Sequence, residues 1–277
     1  MGHKVVWITG CASGVGLYLA DQFAKKGYRV VASDINYQAL KAAASERNWN
    51  SQTVMVRKLD VRKEAQWRKL LVDVLAKWQQ LDIMLNVAGY LKPGNISELD
   101  AVEIDKHIDI NTKGLILGSK VAAEIMIQQK RGHIINIASL AGIAPIPGIA
   151  LYSSSKFAVR GFSLALAQEL KPKGVSVSVV CPDAIETPML TLQEDYEEAA
   201  MTFSGNKALT VEDIGHQIFN KVIPKKPVEV TIPFSRGFVA KLGGALPQVA
   251  FFLGELLTRQ GKKEQQRRKA LLKNTRH

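Results

Sequence analysis

Seven short runs of β-branched and aliphatic residues recur along the chain, at 5–9, 30–34, 53–59, 83–87, 134–138, 175–180 and 228–232. Stretches of helical character separate them, at about 15–26, 36–47, 63–78, 101–129, 152–170 and 211–221. This alternation allows few folds. Strands joined by helical crossovers pair in parallel, and right-handed crossovers lay helices on both faces of the sheet. The runs are continuously apolar rather than alternating, as expected of strands covered on both sides. The pattern predicts a doubly wound parallel α/β sheet of about seven strands. At 277 residues and 47% hydrophobic, the chain is large enough to bury such a core in one domain.

Composition excludes other classes. Cys11 and Cys181 are the only cysteines and both lie in apolar stretches, so neither a disulfide framework nor a metal site is expected. The five histidines show no ligand spacing. A strand is reached by Lys4, which leaves no room for a signal peptide, and a cytoplasmic location is expected. The net charge of +12 is uneven: residues 259–277 carry eight basic residues against the single acid Glu264. Residues 190–210 are polar and mixed, suited to a mobile segment over a pocket.

The first strand runs into Thr9-Gly10-Cys11-Ala12-Ser13-Gly14-Val15-Gly16 and then a helix. Gly10 permits a tight turn, Gly14 lets a ligand backbone approach, and Gly16 allows close helix–strand packing. The helix N-terminus then offers free amides to a pyrophosphate. Asp34 ends the second strand, eighteen residues beyond Gly16. A carboxylate there can accept from both ribose hydroxyls of an adenosine and repels a 2′-phosphate. With uncharged Ile35 and Ser13 beside it, the pattern favours NAD over NADP. A plain helix cap is the ordinary alternative. Asp60 and Val61, after the third strand, are candidates for the adenine edge, again with a cap as the alternative.

Tyr152-Ser153-Ser154-Ser155-Lys156 puts a phenol and an ammonium on one helix face. Ser139 lies thirteen residues upstream, where an apolar run ends. Singly these are a core tyrosine, a solvated lysine and a turn serine. Converging, they can move a proton to or from an alcohol oxygen.

In these motifs the chain resembles the short-chain dehydrogenase/reductase family, from about Lys4 to Pro188 and more weakly to Pro233. TGxxxGxG matches at Thr9, Gly10, Gly14 and Gly16. The family's Asn-Asn-Ala-Gly appears as Asn86-Val87-Ala88-Gly89, and its helical Asn as Asn111. Its catalytic Ser, Tyr and Lys fall at Ser139, Tyr152 and Lys156. Its Pro-Gly appears as Pro182-Asp183, followed by Thr187. The resemblance implies a Rossmann-type fold over 1–233 and an NAD(P)-dependent enzyme, with 234–277 as an added segment. It further implies a cofactor held by Gly10, Ser13, Gly14, Val15, Gly16, Asn86, Ala88, Gly89, Pro182 and Thr187, besides Tyr152 and Lys156. In this reading Tyr152 is the acid or base, Ser139 steadies the substrate oxygen, Lys156 hydrogen-bonds the nicotinamide ribose, and Asn111 keeps a water in line with Lys156. Bringing a phenol from its usual value near 10 to neutrality takes about 4 kcal/mol of preference for phenolate. The Lys156 ammonium and the positive nicotinamide ring have the sign to supply it. A homodimer or homotetramer through 101–129 and 152–170 is also implied. Val87 and Asp183 depart from the family pattern, the first removing a polar group and the second adding a carboxylate.

The segment 234–257 is apolar, but its uncharged stretch, 242–254, contains Pro247 and is too short to span a membrane. Three readings stand: a helix packed on the body before a disordered tail, a greasy cover for the substrate cleft, or a peripheral anchor to anionic membrane aided by the basic tail. The tail has no aromatic residue for base stacking, so nucleic acid is not expected. The expected activity is hydride transfer between NAD(H) and a lipophilic secondary alcohol or ketone. An NADP(H)-preferring carbonyl reductase and a non-catalytic nucleotide-binding protein recruited to membranes are the alternatives.

Overall fold

The computed structural model describes residues 3–205 and 207–274. Arg276 and His277 of the basic tail lie outside the described residues. The seven strands are β1 (Val5–Thr9), β2 (Arg29–Asp34), β3 (Val54–Lys58), β4 (Ile83–Asn86), β5 (Gly132–Ile137), β6 (Val175–Pro182) and β7 (Glu229–Ile232). They form one sheet in the order β3-β2-β1-β4-β5-β6-β7, and every pair is parallel. All five β1 residues and all six β5 residues are buried, which is why these runs read as largely apolar stretches without alternation.

Helices cover both faces. On one lie α1 (Gly14–Lys25), α2 (Tyr37–Glu46) and α8 (Val211–Gln217), which contribute Phe23, Leu40 and Ile214 to the core. On the other lie α3 (Glu64–Trp78), α5 (Gly114–Gln129) and α6 (Ala150–Leu170), which contribute Trp67, Val121 and Ala167. The long helical stretch expected at 101–129 is interrupted. It runs as α4 (Ala101–Lys106), a π-helical turn (His107–Lys113) and then α5.

The chain leaves β1 toward β2 and β3, then returns to β4 on the other side of β1. This reversal opens a crevice at the C-terminal ends of β1 and β4, the usual ligand position in such sheets. Thr9 closes its floor: its hydroxyl accepts from the Val87 and Ala88 amides at 3.0 and 3.1 Å.

The remaining elements build one wall. Residues 190–210 carry more structure than their sequence implies. They take part in α7 (Pro188–Gln193) and a 3-10 turn (Glu197–Phe203), with Leu190, Ala199, Ala200 and Phe203 buried. After α8 come a π turn (Ile218–Val222), the short α9 (Ile223–Lys225), β7, α10 (Phe234–Ala245) and α11 (Pro247–Asn274). The basic segment 259–274 is thus helical, not a disordered tail. Among the described residues no helix is long and apolar enough to cross a membrane.

Candidate active site

A cleft of about 2110 Å³ opens over the C-terminal ends of the strands, lined from the glycine loop to α11. The loop's geometry requires glycine. Gly10 and Gly14 take φ values of +73° and +54°, and a Cβ on Gly16 would sit 2.1 Å from the Gly10 carbonyl oxygen. Ser13 caps α1 in an extended conformation with its side chain uninvolved in the cap. The helix-end amides therefore face the cleft, which suits an anionic diphosphate.

Asp34 stands at the end of β2, where it lines the cleft near the glycine loop. One carboxylate oxygen accepts from the Ala12 amide at 2.9 Å and the other from the Asn36 amide at 2.8 Å. Asp34 thus braces the loop while lining the cleft. Val15, Ala88, Gly89, Pro182 and Thr187 line it too.

Three other expected cofactor residues are placed differently. Asp60 faces Arg62, which forks onto both its carboxylate oxygens at 2.8 Å and holds its carboxyl below the usual range. Val61 packs against α5, where a Cβ on Gly114 would lie 2.7 Å from its methyl. Asn86 is buried and donates to Asn136 Oδ1 (2.8 Å) and Ser119 Oγ (3.1 Å). None of the three lines the cleft. Each is turned to the framework beneath it.

The chemical end combines three elements. Ser139 follows β5, and its hydroxyl accepts from the Ala141 amide at 3.1 Å and reaches the Pro182 carbonyl at 3.4 Å. Tyr152 and Lys156 lie in the first two turns of α6, and all three residues line the cleft. The Lys156 ammonium sits 5.5 Å from the Tyr152 ring centroid and donates to the Ile137 carbonyl at 2.8 Å. Burial pushes Lys156 down to about 8. Burial also pushes Tyr152 up to about 12, and the nearby Ser139 hydroxyl offsets only part of that rise. Without the nicotinamide ring, desolvation of the phenolate dominates and Lys156 is not among the groups that lower this phenol.

Asn111 lies in the π turn, fully buried. Its side chain accepts from the Tyr90 amide (2.7 Å) and donates to the Tyr90 carbonyl and to Ser155 Oγ (both 2.9 Å). Both amide hydrogens and one lone pair of the oxygen are used in tying the β4 loop to α6.

Sequence reasoning missed one polar pair. Asp183 and Arg236 form an ion pair across the cleft from β6 to α10. Burial raises the Asp183 carboxyl, and Arg236 pulls it back. No local pattern announces a pair so distant in the chain. The carboxylate by which Asp183 departs from the family pattern thus anchors the C-terminal segment.

Comparison with known proteins agrees with this architecture. The family model for short chain dehydrogenases matches residues 4–198. The chain belongs to the short-chain dehydrogenase/reductase family. As a member it is an NAD(P)-dependent oxidoreductase acting on alcohols or ketones. An NADP-dependent 3-hydroxy acid dehydrogenase of Salmonella typhi is 32% identical over 221 residues, covering 78% of this chain and 87% of that protein. A cyclopentanol dehydrogenase of Comamonas sp. is 33% identical over 205 residues, covering 74% and 82%. A short-chain dehydrogenase/reductase from Burkholderia phymatum, solved with NAD, has the same fold. Its TM-score is 0.79 at 24% identity, over 90% of this chain and 95% of that one.

Proposed function

We propose that this short-chain dehydrogenase/reductase interconverts a lipophilic secondary alcohol and its ketone and prefers NAD(H). One observation carries the reading: Ser139, Tyr152 and Lys156 share a single cleft with the glycine loop and Asp34. The residues fit a dinucleotide. The loop leaves no room for a Cβ at Gly16, helix-end amides face a diphosphate position, and a carboxylate stands where a ribose would bind. The bound nicotinamide supplies or accepts hydride. Tyr152, held protonated by its surroundings, donates to the substrate oxygen in reduction. Ser139 hydrogen-bonds that oxygen and steadies its developing charge. Lys156 contributes positive charge beneath the phenol.

Asp34 supports NAD, because a 2′-phosphate would meet its carboxylate. Ser13, Asn36 and Ala39, which line the cleft beside it, bring no compensating cation. Leu91, Ile146, Ile149, Met189 and Leu246 support an apolar substrate body. Comparing NADH and NADPH dissociation constants tests the preference, and tighter NADPH binding refutes it. Tyr152→Phe tests the chemistry: turnover should fall by about a hundredfold or more while NADH binding persists. Undiminished turnover would leave an enzyme whose chemistry does not use this phenol.

Exposed Val102, Ile104, Ile108 and Phe157 support assembly as a dimer or tetramer through 101–129 and 152–170. A second reading, peripheral contact of 234–277 with anionic lipid, is favoured by Phe234, Phe251 and Phe252, exposed at 74%, 81% and 78%. Sedimentation with anionic vesicles, with and without 259–277, decides it. Equal binding discards any role for the basic helix.

A further inference from the structure

We infer that Arg268, near the end of α11, is a positioning residue for the substrate side of the cleft. Its guanidinium meets two acids that bracket α7. Nη1 and Nη2 donate to the two Glu186 carboxylate oxygens at 2.7 Å each, and Nε donates to Glu194 Oε1 at 2.8 Å. Between these acids lie Thr187, Pro188, Met189, Leu190 and Gln193, all lining the cleft. The six residues of α7 are too few to fix their own conformation, so the wall they form must be held from outside.

Neighbouring residues of α11 complete the clamp. Gln265, three positions before Arg268 and buried, donates to the Gln193 and Tyr196 carbonyls at 2.9 and 2.8 Å. Gly261, four positions earlier again, lies so close that a Cβ would come within 1.9 Å of the Ala200 carbonyl oxygen. Arg268 also lies over the Phe203 ring, 5.7 Å from its centroid. Residues 261, 265 and 268 thus form one helix face seated on 186–203.

The choice of arginine is chemical. A guanidinium forks onto one carboxylate and reaches a second, which an ammonium cannot do in the same plane. Glu194 is buried at 4% exposure, so without Arg268 its charge would be left uncompensated and would push α7 away. The family model's match stops at residue 198, before the clamping helix. The basic helix is, on this side, a buttress for the substrate wall.

The inference rests on the proposed alcohol–ketone reaction, and the test separates the two. Arg268→Ala and Arg268→Lys, made in the full chain, are assayed at saturating NAD. The KM for the alcohol should rise about tenfold in Arg268→Ala with kcat within about threefold, and Arg268→Lys should recover only part of the loss. Amides of 188–203 should exchange hydrogen about tenfold faster while those of the central strands are unchanged. Gly261→Val, which lifts the helix without altering a charge, should give the same KM split and serves if Arg268→Ala fails to fold. A KM within about twofold of the parent, even with lowered thermal stability, overturns the inference and leaves Arg268 a stabilising residue. A parent enzyme that turns over no alcohol refutes the reaction instead. Exchange at 188–203 then decides the clamp, and unchanged exchange in Arg268→Ala overturns it.

Discussion

Replacing Lys156 by methionine should stabilise the protein while abolishing its chemistry. Lys156 is 3% exposed, and its only hydrogen-bond acceptor among the described residues is the Ile137 carbonyl. No carboxylate among those residues pairs with it. Burial lowers its ammonium from 10.5 to about 8, a difference worth about 3 kcal/mol against the folded state at pH 7. Methionine removes that cost at similar volume. It also leaves the Ile137 carbonyl without this donor, which costs about 1 kcal/mol. The net gain is about 2 kcal/mol. It should fade with rising pH, because between about 8 and 10.5 the unfolded lysine holds its proton while the folded one has shed it. Wild-type stability therefore rises through that window, and by pH 9.5 the wild type should regain about 2 kcal/mol on the variant. Urea unfolding followed by tryptophan fluorescence at pH 7 and 9.5, with no nucleotide added, measures both values. A variant less stable than wild type at pH 7, or a gap that ignores pH, refutes the argument that a buried cation is held here at a cost. Turnover should fall by about a hundredfold or more in the same variant.

Other outcomes follow from the packing around the cleft. Asn136→Ala should cost about 2–3 kcal/mol in chemical denaturation, because Asn136 accepts from Asn86 (2.8 Å) and donates to Ser163 (2.9 Å) inside the core. Gly16→Ala drives a Cβ against the Gly10 carbonyl at 2.1 Å. NADH affinity should drop by about tenfold or more, together with Tm. Asp34→Ala should weaken NADH and narrow its lead over NADPH in fluorescence titration. An unchanged ratio would reduce Asp34 to the brace it forms with the Ala12 and Asn36 amides.

Much of this was legible in the sequence because the signals are local or periodic. The seven strands follow from continuous apolar runs, and the glycine loop from residue types that only a positive φ or a close approach explains. Where partners are distant, the sequence is mute. Even a near partner can mislead: Asp60 reads as a ligand or a cap, and Arg62, two positions on, binds its carboxylate through both main-chain amide and guanidinium. Asn111 reads as a helical residue, but the π turn brings it against Tyr90 and Ser155. The basic tail reads as solvated because its charges are visible and the acids that receive one of them, 74 and 82 positions earlier, are not.

The acidity of Tyr152 is a property of another kind. Spacing reveals that a cation stands one turn away, but not how much water the phenol has lost. Burial raises Tyr152 to about 12 and lowers Lys156 to about 8, so the fold itself favours phenol over phenolate while Lys156 stays largely charged at neutral pH. A phenol held in this way is ready to donate, which is the role reduction of a carbonyl needs. For the reverse role at neutral pH, the phenolate needs about 7 kcal/mol of added preference. Lys156 is not among the groups that lower this phenol in the nucleotide-free protein. The preference would have to arrive with the positively charged oxidised nucleotide, which would tie the readiness of Tyr152 as a base to the oxidation state of the cofactor. The fold thereby links proton direction to hydride direction through charge alone, and the free protein should titrate Tyr152 far above the pH at which its oxidation rate begins to rise.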